Sequence, residues 1–209
     1  MIRAPALCLV ALTLSGCTAI SAIERASEPL DVHELRAPAE LPAARGMQDI
    51  QLVVEVPAAG GAIATDRILI RTGATQLAYL PEARWSEDAP VMMQTALVEA
   101  FLRTDAFRFV GRRPLGASGD VALVSELVDF GARETTEAGG AVVEMTLVAR
   151  LVREDDARIV ASRRFTGASR VPDTSTRALL AGFDQVSDAV LLDVVEWVLR
   201  ARGISATAS

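Results

Sequence analysis

The stretch Val142–Val152 alternates along its whole length. Val143, Met145, Leu147, Ala149 and Leu151 fall on one side of an extended chain, with Glu144, Thr146 and Arg150 on the other. Successive strand side chains point to opposite faces, so this run predicts a strand with one covered and one wetter face. A long strand is also predicted on either side of it, over Asp120–Phe130 and over Arg158–Ser169. Gly139-Gly140 and Asp155-Asp156 stand where the turns must fall, and these are residue types that tight turns favour. Three long strands joined by short turns make an antiparallel meander, which has to bury its apolar face. The cover is a helix from about Ser175 to Arg200, in which Leu179, Phe183, Val186, Val190, Val194 and Trp197 form an apolar stripe. Asp184, Asp188, Asp193 and Glu196 oppose that stripe, and acids on every turn exclude a membrane span.

Upstream of the meander the pattern is mixed. Leu30–Leu35 predicts a short first strand, and Pro38 and Pro42 break it. Ile50–Val56 predicts a strand ending at Pro57. Arg67–Arg71 and Gln76–Leu80 flank Thr72-Gly73-Ala74 as a hairpin, and Pro81–Trp85 is the turn that leaves it. Ser86 or Asp88 can cap the next helix, where Pro90 is tolerable only in the first turn. Met93, Leu97, Ala100 and Phe101 carry that helix to about Leu102, and Phe107–Val110 closes a β-α-β unit. Arg112-Arg113-Pro114 and Gly116–Gly119 form a loop. The expected fold class is therefore α+β: a mixed, largely antiparallel sheet with two main helices packed on it. It comprises a β-α-β unit, a three-stranded meander and a C-terminal helix.

Residue usage excludes most chemistry. Lysine is absent and all 21 basic residues are arginines, which removes Schiff-base lysines, a P-loop lysine and a Ser-Lys dyad. The one histidine, His33, lies in the first extended segment without a Gly-x-Ser-x-Gly elbow, so a catalytic triad has little to stand on. Glu154-Asp155-Asp156 lacks the spacing and glycine of a calcium loop and reads as a solvated turn. Gly111, Gly116 and Gly119 do not follow a dinucleotide fingerprint. No catalytic residue, metal site or cofactor is expected. A net charge of −6 argues against nucleic acid and against electrostatic adsorption to anionic lipid. Two arginine doublets, Arg112-Arg113 and Arg163-Arg164, could serve as phosphate forks or as solvated protection of strand edges.

The N-terminal stretch has a different logic. Arg3 precedes an apolar run, Ala4–Leu14, which leads into Leu14-Ser15-Gly16-Cys17. That is the layout of a secretory signal peptide, and it resembles a bacterial lipoprotein signal, in which the cysteine is acylated and cleavage makes it the new N-terminus. Residues 1–16 are thus expected to be the signal, with Cys17 the lipidation site. Residues 17–29 are the lipidated start and a tether spanning roughly 20 Å. Residues 30–202 are the domain, and 203–209 a flexible tail. Cys8 leaves with the signal, so the mature domain holds neither a disulfide nor a free thiol.

Outside the signal, the most distinctive stretch is Tyr79-Leu80-Pro81-Glu82-Ala83-Arg84-Trp85, which holds the single Tyr and one of two Trp. Two readings are open. Tyr79, Pro81, Arg84 and Trp85 could form a partner-docking surface, because Tyr, Trp and Arg anchor interfaces. Alternatively they form a corner in which Trp85 plugs the junction of sheet and helix while Arg84 is solvated.

The lipoprotein box, LDVHEL, TDRILIR, QLAYLPEARWSEDAP, three long strands and a terminal helix together resemble the PqiC-like ABC-type transport auxiliary lipoproteins, from about Leu30 to Arg200. Tyr79, Pro81, Ala83, Arg84 and Trp85 carry the strongest part of the likeness, while His33 stands where a tyrosine is expected. The resemblance implies a non-enzymatic lipoprotein of the Gram-negative periplasm. Its implied partners are an MCE-domain protein with an ABC permease and ATPase, a system that moves lipids between inner and outer membranes. It also implies a homo-oligomeric ring. Thr18 after the cysteine, by enterobacterial sorting logic, points to the periplasmic face of the outer membrane. The competing expectation is a structural or chaperone-like lipoprotein serving an outer-membrane barrel.

Overall fold

A computed structural model describes residues 30–73, 75–113, 119–135 and 139–207. The signal, Cys17 and the tether lie outside these residues, as do Ala74 and residues 114–118 of the expected loops. The chain divides into two units between Asp31 and Val32, and the architecture below is that of the second, with Asp31 leading into it. The strands are β1 (Asp31–His33), β2 (Ala43–Ala44), β3 (Gln48–Val54), β4 (Ala58–Ala59), β5 (Arg67–Thr72) and β6 (Gln76–Trp85). Helix α1 (Ala89–Leu102) and β7 (Phe107–Gly111) follow. Then come β8 (Val121–Glu134), β9 (Ala141–Arg153), β10 (Arg158–Val171), α2 (Thr176–Ala201) and β11 (Ala206–Thr207).

The fold is α+β, with β8 as its spine. One edge of β8 pairs antiparallel with β9 from Val121 to Glu134, with a register shift between Leu127 and Asp129. Its other edge is tiled by three shorter parallel strands. β3 meets Val121–Leu123, β4 meets Glu126 and Leu127, and β5 meets Ala132 and Arg133. β7 lies parallel beside β3, and β6 antiparallel beside β5. β10 pairs with β9 and closes the meander.

The alternation of β9 sorts its side chains as the pattern requires. Val143, Met145, Leu147, Ala149 and Leu151 are buried, while Glu144, Thr146 and Arg150 face the wetter side. α2 covers the buried face with Leu179, Phe183, Val186, Val190 and Val194, and the burial widens to Leu191, Val195, Val198 and Leu199. The helix lies almost on the backbone of β10. A Cβ at Gly167 would stand 2.7 Å from one methyl of Val186 and 2.9 Å from one of Val190. Ser175 caps α2 by accepting the amide of Ala178 at 3.4 Å. α1 has no side-chain cap, and its first amide, Ala89, donates to Thr65 O at 3.1 Å instead.

Two local expectations are corrected. Pro81–Trp85 is not a turn, because β6 continues through it to Trp85. Register explains how a strand accepts the proline: Leu69 faces Tyr79 and Arg67 faces Arg84, so four residues of β6 oppose the single residue Ile68. Pro81 sits in this bulge, off the positions paired with β5. The stretch after residue 202 is not a loose tail up to Thr207. Gly203 takes φ +67°, Gly203 N donates to Arg200 O and Ile204 N to Leu199 O, which is a Schellman turn. Ile204 is then buried, and Ala206 and Thr207 pair with Ala44 and Ala43.

Candidate functional site

The bulge carries Leu80 and Ala83 into the core and delivers Trp85 to the junction of sheet and α2. Trp85 is 3% exposed, stacked on Phe130 at 5.4 Å and edge-on to Phe183 at 5.2 Å. Phe130 and Phe183 meet edge-on at 5.0 Å, so each ring of the trio touches both others in favoured geometry. Arg84 points outward, and its Nη1 donates to Asp66 Oδ2 at 3.2 Å and to Trp85 O at 3.4 Å. Tyr79, beyond the bulge, is exposed; its hydroxyl donates to Ala62 O at 3.4 Å, and the Arg67 guanidinium lies 5.6 Å from its ring centre. Pro81 is exposed, and its neighbour Glu82 accepts a bond from Thr176 at the start of α2.

The structure thus divides the four motif residues. Trp85 is enclosed, Arg84 is half exposed over Asp66, and Tyr79 and Pro81 face solvent beside exposed Leu77. Their organiser is the segment 62–67. It supplies the carbonyl for Tyr79, the carboxylate for Arg84, the carbonyl of Asp66 that accepts Trp85 N at 2.7 Å, and the carbonyl of Thr65 that receives α1. Sequence reading passed over Asp66 because its partners lie about twenty residues ahead across a hairpin.

Next to the corner, His33 O accepts the amide of Ser86 at 2.7 Å, and Leu35 N meets Met92 Sδ at 3.2 Å. Between this segment and α2 opens a cleft of about 590 Å³, lined by residues 32–37, Ala39, Asp184 and Asp188. His33 Nε2 is buried there without a hydrogen-bond partner. Partial burial pushes the Asp184 carboxyl up, against the pull of His33 and Arg36. Asp188 is pushed up by burial and then by the like charge of Asp184. The sequence placed both acids on the polar side of α2, and nothing local told that residues 32–39 would fold over them. Among the described residues no group of three or more His, Cys, Asp or Glu is gathered to hold a metal. No helix among them is long and apolar enough to cross a membrane.

The two arginine doublets diverge. Arg112 donates to Gln94 and Thr95 of α1, while Arg113 bridges Glu55 and Glu154, and those two carboxylates drive its pKa further up. Arg163 instead lies 4.9 Å over the Phe165 ring, and neither Arg163 nor Arg164 has a carboxylate partner among the described residues.

The fold is an α+β sheet with two helices, carrying an aromatic corner and, beside it, an open polar cleft. The family follows from comparison: residues 33–195 match the model of the ABC-type transport auxiliary lipoprotein component, and the chain belongs to that family. Protein XCC0632 of Xanthomonas campestris is similar at 27% identity and a TM-score of 0.73, over 84% of this chain and 97% of that one. A crystal structure of an uncharacterized protein shares the fold at 17% identity and a TM-score of 0.59, over 82% and 99% of the two chains. No curated protein matches the chain.

Proposed function

We propose that this protein is a lipid-anchored, non-catalytic adapter of an MCE-type ABC transport system that moves lipids between inner and outer membranes. The observation that carries the reading is the family match over residues 33–195 in a chain that carries Leu14-Ser15-Gly16-Cys17 upstream of it. Acylated Cys17 holds the domain at the periplasmic face of the outer membrane, and the segment to residue 29 lets it stand off the bilayer. The domain's task is then positional: it receives the MCE-domain protein, alone or as a ring of copies. Exposed Tyr79 and Pro81, with Arg84 at their border, supply anchors for that contact, while Trp85 holds the corner rigid behind them.

The test is transport in cells. Removing the protein should slow exchange of labelled phospholipid between the two membranes; the wild-type gene should restore it, and Cys17→Ser should not. A Cys17→Ser protein that stays on washed membranes, or that restores exchange in full, contradicts the anchoring step. Unchanged exchange in the deletion strain contradicts the transport role.

A further inference from the structure

β10 stands at one end of the sheet. Its inner neighbour β9 pairs with it from Arg158 to Val171, and among the described residues no strand pairs with its other edge. Fourteen residues make this edge about 45 Å long. Long free edges are hazards that proteins blunt with short strands, prolines, bulges or charged side chains. β10 has no proline, and its one register irregularity lies near its start, between Ile159 and Ala161.

What the strand does carry is charge of one sign. Arg158, Arg163, Arg164 and Arg170 lie along it, with no Asp or Glu between Arg158 and Val171. None of the four guanidinium groups has a carboxylate partner among the described residues, although the chain as a whole is at −6. The register puts Arg163 on the face toward α2, opposite Ala149, and Arg164 on the open face, opposite Val148. Positive charge therefore flanks the free backbone edge on both sides of the sheet.

Arginines on an edge repel copies of themselves. A second copy pairing through its own β10 about Arg163 or Arg164 would set that arginine against its twin, and like charges directly opposite destabilise a pair. The same arrangement welcomes an extended acidic segment. Main-chain bonds along the edge supply affinity, and carboxylates opposite the arginines select register and partner.

We propose that the free edge of β10 is a strand-acceptor site for an extended acidic segment of a partner protein. The probe is a synthetic twelve-residue peptide of alternating Glu and Val, with a Lys-Val peptide of equal length as control, each added to the full-length protein in non-ionic detergent. The acidic peptide should bind at least tenfold more tightly than the basic one, and more weakly as salt rises. Hydrogen exchange should slow in Arg158–Val171 and not in the short edge strand β7. The double variant Arg163→Glu with Arg164→Glu should lose at least tenfold in affinity, and Arg163→Lys with Arg164→Lys should retain most of it. Equal binding of the two peptides, or protection outside β10, overturns the proposal. So does binding to phosphatidylglycerol vesicles with none to the acidic peptide. The exchange map of the wild-type protein stands as a test even if the charge-reversed variant fails to fold.

Discussion

The Trp85 corner and the β10 edge use similar residues to different ends. In the corner Arg84 meets Asp66, Arg67 covers Tyr79, and Trp85 is enclosed by Phe130 and Phe183. On β10, Arg163 covers Phe165, which is edge-on to Trp197 at 5.6 Å, but among the described residues no acid meets Arg163 or Arg164 and no strand meets the outer edge. The difference lies in the neighbours. Segment 62–67 brings carbonyls and a carboxylate to the corner, whereas β10 ends the sheet. An aromatic-arginine cluster in a sequence is therefore satisfied from within where the fold folds back on it, and is left without a carboxylate partner among the described residues where the sheet ends.

The largest effect expected from breaking this contrast is at Trp85. Trp85→Ala should cost about 3–5 kcal/mol, read as a lowered urea midpoint; a loss below about 1 kcal/mol would mean that the aromatic trio does not hold the corner. Next is Gly167→Ala. It tests whether β10 is closed on its inner face while open at its edge, and contact with Val186 and Val190 should make it destabilising by about 1–3 kcal/mol in thermal unfolding.

Smaller effects separate the arginines. Arg84→Ala should cost under about 1 kcal/mol, since its pair with Asp66 is more than a third exposed on both sides. Arg164→Ala should change stability by no more than about 0.5 kcal/mol in either direction. A larger loss at Arg164 than at Arg84 would contradict this difference between a paired arginine and an unpaired one.

The smallest effect concerns the cleft beside the corner. Asp184 and Asp188 both have raised pKa values in the folded protein, so the folded state holds protons that the unfolded chain has released. Their contribution to stability is greatest at or below the ordinary carboxylate value of 3.8, falls as pH rises to the raised values, and stays lower above them. Asp188→Asn removes one of these groups and the repulsion on Asp184. The variant should gain melting temperature over the wild type at pH 7, with the gain shrinking as pH falls toward 3.8. A gain independent of pH would place its origin elsewhere.

Legibility in the sequence followed the range of the deciding interaction. The alternation of Val143 to Leu151 and the stripe of Leu179 to Val194 are local patterns, and both appear as buried faces. The strand through Pro81 was hidden because its licence is a bulge set by register against β5. The order of Gly203–Thr207 was hidden because it depends on Ala43 and Ala44, far away in the chain. Of the four motif residues, sequence offered both packing and docking, and only the fold could assign Trp85 to the interior while leaving Tyr79 outside. The doublets Arg112-Arg113 and Arg163-Arg164 look alike as text. Glu55 and Glu154 distinguish them in space.

The adapter role is tested most directly by crosslinking the tagged protein in intact cells, purifying it from solubilised envelope and identifying what comes with it by mass spectrometry. Recovery of an MCE-domain protein together with its permease and ATPase is the predicted result. Recovery of an outer-membrane barrel with none of those three would contradict it.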